Sequence, residues 1–234
     1  MEMNERGFAL LAPLLGDVCL LSGFATWILI VWWLWLKGWR VQRRYFIEAT
    51  LPPLRRTRTT WMAALIGILA VIAAHSTPSA AALVSVAMIG TLSALTDVRT
   101  HKLPNAYTGA MALGVSIGCA CAVLVSDSPA SVLADIAWGG AIWAVPMWLL
   151  SRLPGGVGFG DVKLAPVLGA MLGTEGIAAA VFGLFMSVIA AGLGAVWRLV
   201  IGSAGTSSRM PLGPWLVVGS MIAYILHGVI PQWT

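Results

Sequence analysis

The chain has 234 residues, 59% of them hydrophobic and 10% charged, with a formal net charge of +5. A soluble domain carries about 25% charged residues, so these proportions exclude an ordinary water-soluble fold and indicate a chain buried largely in lipid. The basic surplus is not a nucleic-acid surface, because the Lys and Arg residues cluster between apolar runs, where they set orientation in a membrane.

Met1-Glu2-Met3-Asn4-Glu5-Arg6 is acidic and does not have the basic start of a secretory leader. A membrane span needs about 20 apolar residues, fewer where the bilayer thins. Eight segments meet that test, near 17–36, 60–75, 79–96, 105–125, 131–150, 160–174, 176–200 and 211–230. The second and sixth are short, and the total falls to seven if one of them is re-entrant. Phe8 to Leu15 is also apolar but is separated from the first span by Pro13, Gly16 and Asp17. The expected fold class is therefore all-α, a polytopic transmembrane bundle, with residues 1–60 forming a first span and basic loop and residues 61–234 a separate transmembrane domain.

With the N-terminus outside, the cytoplasmic stretches are 37–59, 97–104, 151–160 and 201–210. They contain or adjoin every Lys and Arg except Arg6, as the positive-inside rule requires. The segment 37–59, with Trp39, Tyr45, Phe46 and Ile47 among its arginines, reads as an interfacial stretch on anionic membrane lipid. Cys19, Cys119 and Cys121 lie in or beside apolar runs. They form no Cys-x-x-Cys pair, and no metal site is expected from them or from the scattered His75, His101 and His227.

Two carboxylates stand out. Asp97 closes the third span in Leu95-Thr96-Asp97-Val98-Arg99, and Asp161 opens the sixth in Gly158-Phe159-Gly160-Asp161. A carboxylate at the hydrocarbon centre costs about 2.5–3.5 kcal/mol on insertion scales, so keeping one at each of two helix ends calls for a function. By the parity of the spans both face the cytoplasm at one depth. Each has a bland reading: Asp97 paired with Arg99 or Lys102, and Asp161 as an ordinary first-turn carboxylate favoured by the helix dipole. Together they form a candidate acid–base pair, since neighbouring carboxylates hold one proton between them. The helix dipoles favour Asp161 as the resting base and Asp97 as the resting acid. The glycines from Gly155 to Gly160 allow close backbone approach. They do not form a phosphate loop, which would end in Gly-Lys-Ser/Thr and would not place an Asp against the phosphate. Pro104-Asn105 closes the loop after Asp97 and restarts a helix.

At these residues the chain resembles the type IV prepilin peptidases, membrane aspartic proteases with a Gly-x-Gly-Asp motif. The resemblance lies in Asp97 followed by Pro104-Asn105, in Gly155-Gly156-Val157-Gly158-Phe159-Gly160-Asp161-Val162-Lys163-Leu164, and in Met210-Pro211-Leu212-Gly213-Pro214-Trp215-Leu216. It covers roughly residues 80–230. It implies an inner-membrane endopeptidase that cleaves the leaders of prepilin or pseudopilin precursors on the cytoplasmic side, after a Gly and before an apolar segment. Asp97 and Asp161 would be the catalytic pair, Gly158 and Gly160 would shape the turn, and Lys163, Pro104 and Asn105 would complete the site. Proteolysis needs no cofactor. Many members also methylate the new N-terminus, which requires S-adenosylmethionine, and carry two Cys-x-x-Cys pairs after the first span, where 37–59 has no cysteine. The competing classes are a transporter or channel whose aspartates bind cations or protons, and a non-catalytic assembly protein.

Overall fold

The computed structural model describes residues 20–74, 77–154, 157–200 and 211–229. The chain runs through α1 (Leu20–Glu48), α2 (Arg56–Ala73), α3 (Ala80–Thr100), α4 (Asn105–Val125), α5 (Pro129–Ser151), α6 (Phe159–Gly173), α7 (Ile177–Val200) and α8 (Gly213–Tyr224), which continues as a π-helical turn, Ile225–Val229. No strand occurs among the described residues, and the all-α polytopic bundle expected from the sequence is what the chain forms. Helices α1 to α5 and α7 are each long and apolar enough to cross a membrane, whereas α6 has 15 residues and the apolar stretch Gly213–His227 is also short. The part of the first segment before Leu20, the region 201–210, and Gly155 and Gly156 lie outside the described residues.

Two expectations are corrected. The first span does not give way to a loop at residue 37: α1 continues to Glu48 through a π-helical turn, Leu34–Gly38. Residues 39–48 contain no Pro or Gly to stop a helix, so it ends only at Thr50, with φ 55°, and at Pro52-Pro53. This extension buries Gln42 and Phe46 and packs on the end of α3, so it is docked on the bundle as well as presenting arginines outward. The third helix also runs past residue 96, placing Asp97 inside its last turn.

Helix α3 is the centre of the bundle. Every residue from Ala80 to Gly90 is buried, as expected for a helix that is apolar all round. Lipid tails offer no hydrophobic drive toward helix association, so cohesion depends on close backbone contact through small residues. Gly114 and Gly118 of α4 lie on Ser85 and Ala82 of α3, Gly67 of α2 lies on Met88, and Gly90 meets Val217 of α8. A methyl at Gly118 would stand 2.5 Å from the Ala82 nitrogen. Thermal unfolding in detergent should therefore show Gly118→Val destabilised by about 1–3 kcal/mol. Gly109→Ala on the same helix, where nothing lies within 4 Å of the added carbon, should be neutral.

Candidate functional site

Asp97 is placed by the end of α3. His101 adopts the left-handed conformation at φ 52°, and its N–H donates to the Asp97 carbonyl over 2.8 Å, ending the helix one turn beyond Asp97. Asp161 is the third residue of α6, after Gly158 at the N-cap. Its N–H donates to the Gly158 carbonyl over 3.0 Å, and the Gly158 backbone amide approaches its carboxyl, the half of a capping box that an N-cap glycine can form. The ordinary first-turn reading of Asp161 thus accounts for one side of the carboxyl only. Both aspartates are buried, at 5% and 7% exposure, and Asp97 Oδ2 and Asp161 Oδ1 have no hydrogen-bond partner. The two carboxyl groups are close enough to interact electrostatically. Neither bland reading consumes them: Lys102 turns away to Glu48, Nζ to Oε2 3.6 Å, and Arg99 is exposed.

Two further residues complete the arrangement, and both lacked a role in the sequence reading. Gly213, the first residue of α8, directs its backbone amide toward the Asp97 carboxyl, and a methyl there would stand 2.9 Å from Asp97 Oδ2. Asp97 therefore faces the positive end of α8 although it belongs to the negative end of α3. The dipole asymmetry inferred from sequence omitted this second helix, so the two carboxyls have more similar surroundings than their own helices imply. The signal was present in the Gly213-Pro214 opening of the last helix, but the pairing of that opening with Asp97 is tertiary. Leu103 lies between α6 and α8: a carbon added at Gly160 would be 2.8 Å from Leu103 Cβ, and one at Gly213 would be 3.1 Å from Leu103 Cδ1. Glycine is needed at both places because the α3–α4 turn occupies the space a side chain would take.

The remaining expected residues gather around this junction. Pro104 is buried at the N-cap of α4, and its carbonyl accepts from the amides of Tyr107 and Thr108 at 3.0 and 3.2 Å. Lys163 Nζ donates to Asn105 Oδ1 over 3.2 Å and lies 5.2 Å from the centre of the Phe159 ring, so α6 and the α3–α4 turn are tied on the exposed side. Ser93, one turn before Asp97, is fully buried with an unpartnered hydroxyl. Among the described residues no group of three His, Cys, Asp or Glu side chains could hold a metal ion. Two buried carboxyls with free oxygens at a junction of helix ends can share a proton, so that one accepts while the other donates.

The family model described as the type IV leader peptidase family matches residues 83–199, which include both aspartates. A Burkholderia pseudomallei protein named prepilin leader peptidase/N-methyltransferase is 34% identical over 149 residues, covering 61% of this chain and 46% of that protein. Proteins of the same name from Aeromonas salmonicida and Xanthomonas campestris are 27% and 31% identical over 86% and 55% of this chain, and over 66% and 44% of their own lengths. The chain thus spans about half to two-thirds of the length of these three relatives. No solved structure matches it. With the matched region centred on α3 to α7 and the multi-pass helical architecture around it, the chain belongs to the type IV leader peptidase family.

Proposed function

We propose that this chain is an inner-membrane aspartic endopeptidase that cleaves the leaders of type IV prepilin or pseudopilin precursors at the cytoplasmic face. The observation that carries the reading is the burial of Asp97 and Asp161, with unpartnered oxygens and within electrostatic reach of each other, at the ends of α3 and α6. Family membership and the names of the relatives support the substrate class. The basic residues of 37–59, 97–104 and 151–160 support the cytoplasmic orientation.

In this mechanism Asp97 and Asp161 hold one proton between them. The ionised member takes a proton from water, and that water attacks the scissile carbonyl. The protonated member hydrogen-bonds the developing oxyanion and then protonates the leaving nitrogen. The Gly158 and Gly213 amides hold the carboxyls in place, Gly160 lets the turn at Leu103 close over the site, and Lys163–Asn105 ties the two segments. Methylation is a separate activity that would consume S-adenosylmethionine. The cysteine pairs present after the first span in many family members have no counterpart here, where residues 39–48 form a docked helix. The metal-binding arrangement of those pairs therefore does not fit this chain.

Co-expression with a prepilin bearing a Gly/Phe leader junction, read by product mass, should show cleavage after Gly. Asp97→Asn and Asp161→Asn should each reduce the rate by about 10²–10⁴-fold. Uncleaved precursor with folded wild type, together with ion flux lost in the same variants, would favour the transporter reading. An added methyl mass on the product would establish the second activity.

The pH–rate profile should be bell-shaped. At low pH both carboxyls are protonated and no base remains; at high pH the shared proton is lost and no acid remains. A profile flat across the acidic range would contradict the pair.

Gly160→Ala should push the α3–α4 turn away from α6 and slow cleavage about 10–100-fold. Leu103→Gly in the same chain, which removes the Cβ that the new methyl meets, should restore part of that loss, and no recovery in a kinetic comparison of the two would argue against the Leu103 contact.

A further inference from the structure

At the end of the bundle opposite the aspartates lies a second polar cluster that the proposed chemistry does not use. The Tyr224 hydroxyl, fully buried near the end of α8, hydrogen-bonds to Ser79 Oγ and, over 2.9 Å, to Thr77 Oγ1. Ser79 is the N-cap residue of α3, and its hydroxyl donates to Glu175 Oε1 over 2.8 Å, two residues beyond the end of α6. Thr174 Oγ1 also donates to Glu175 Oε1, over 3.3 Å. The direction of the chain follows from counting protons. Ser79 has one hydroxyl proton and gives it to the carboxylate, so Tyr224 must donate to Ser79. The chain runs Tyr224 to Ser79 to Glu175, linking the far ends of α8, α3 and α6.

These are the three helices whose near ends carry Gly213, Asp97 and Asp161. From Ser79 to Asp97 is 18 residues of α3, about 27 Å at 1.5 Å per residue. In an apolar setting, leaving any of these hydroxyls unpartnered is unfavourable, so the hydrogen bonds oppose axial slip of one helix past another. Slip of α3 against α6 would change the Asp97–Asp161 separation directly, because each carboxyl sits at the end of its helix.

We propose that Tyr224, Ser79 and Glu175 are positioning residues: they fix the axial register of α3, α6 and α8 at one end of the bundle and thereby set the spacing of Asp97 and Asp161 at the other. This rests on the reading of those aspartates as the catalytic pair, but it makes a structural prediction that can be read without activity. Spin labels would be placed at the exposed positions Arg99 and Phe159, near the two aspartates, after replacement of Cys19, Cys119 and Cys121 by Ala. Pulsed electron–electron resonance would then give the distance distribution, and leader cleavage would be measured on the unlabelled chain.

Tyr224→Phe and Glu175→Ala should broaden or shift the distribution and lower kcat about tenfold with KM unchanged. Glu175→Gln, which keeps an acceptor oxygen for Ser79, should retain the wild-type distribution and rate. Unchanged distributions in folded Tyr224→Phe and Glu175→Ala would overturn the proposal, as would a change in Glu175→Gln equal to that in Glu175→Ala. If the distributions respond as expected while the wild type cleaves no leader, the register role stands and the protease reading is what fails.

Discussion

The structure depends on the difficulty of burying two carboxyls within electrostatic reach of each other. A desolvated carboxylate needs a hydrogen bond, a counter-charge or a proton. Among the described residues no Lys or Arg pairs with the two carboxyls: Lys102 contacts Glu48, Arg99 is exposed, and His101 acts on Asp97 only through space. The fold supplies backbone amides instead, from Gly158 at the start of α6 and Gly213 at the start of α8. Backbone donors at helix N-termini neutralise part of the charge without fixing it as a salt bridge, which leaves an oxygen of each carboxyl free to exchange a proton. An arginine in the same place would hold both groups ionised.

That constraint explains the distribution of glycine. Helix ends can converge on a pair of carboxyls only if backbones approach closely, and Gly160 and Gly213 both lie against Leu103 where a side chain would collide. Deeper in the bundle the same economy of volume recurs between α3 and α4, where Gly114 and Gly118 meet Ser85 and Ala82. Packing through small residues gives cohesion in lipid, and the hydrogen bonds of Tyr224, Ser79 and Glu175 add polar ties at the helix termini.

Much of this was legible in the sequence. Hydropathy indicates each of the eight described helices, with Asn105–Val125 matching its expected limits, and the alternation of basic loops assigns Asp97 and Asp161 to one end of the bundle. The extension of α1 was not legible, because Arg40, Arg43 and Arg44 make residues 37–48 look like a loop to a hydropathy window although nothing among them stops a helix. Nor were the roles of Gly213 and Leu103, whose partners are 116 and 57 residues away along the chain, Asp97 and Gly160 respectively. The reading of Asp97 as the more acid-like partner failed to include α8 for the same reason: a helix dipole acts through space, and its neighbours cannot be counted along the chain.

The account stands on Asp97 and Asp161 meeting in the folded chain. The most direct measurement replaces both by Cys in a chain without its native cysteines, treats the membranes with a short bifunctional thiol reagent, and cuts the polypeptide at a protease site inserted between α4 and α5. Fragments that remain joined under reducing conditions after treatment, and separate when either Cys is omitted, are the predicted result. Fragments that separate in the double variant, with both thiols shown to be reactive, would contradict it.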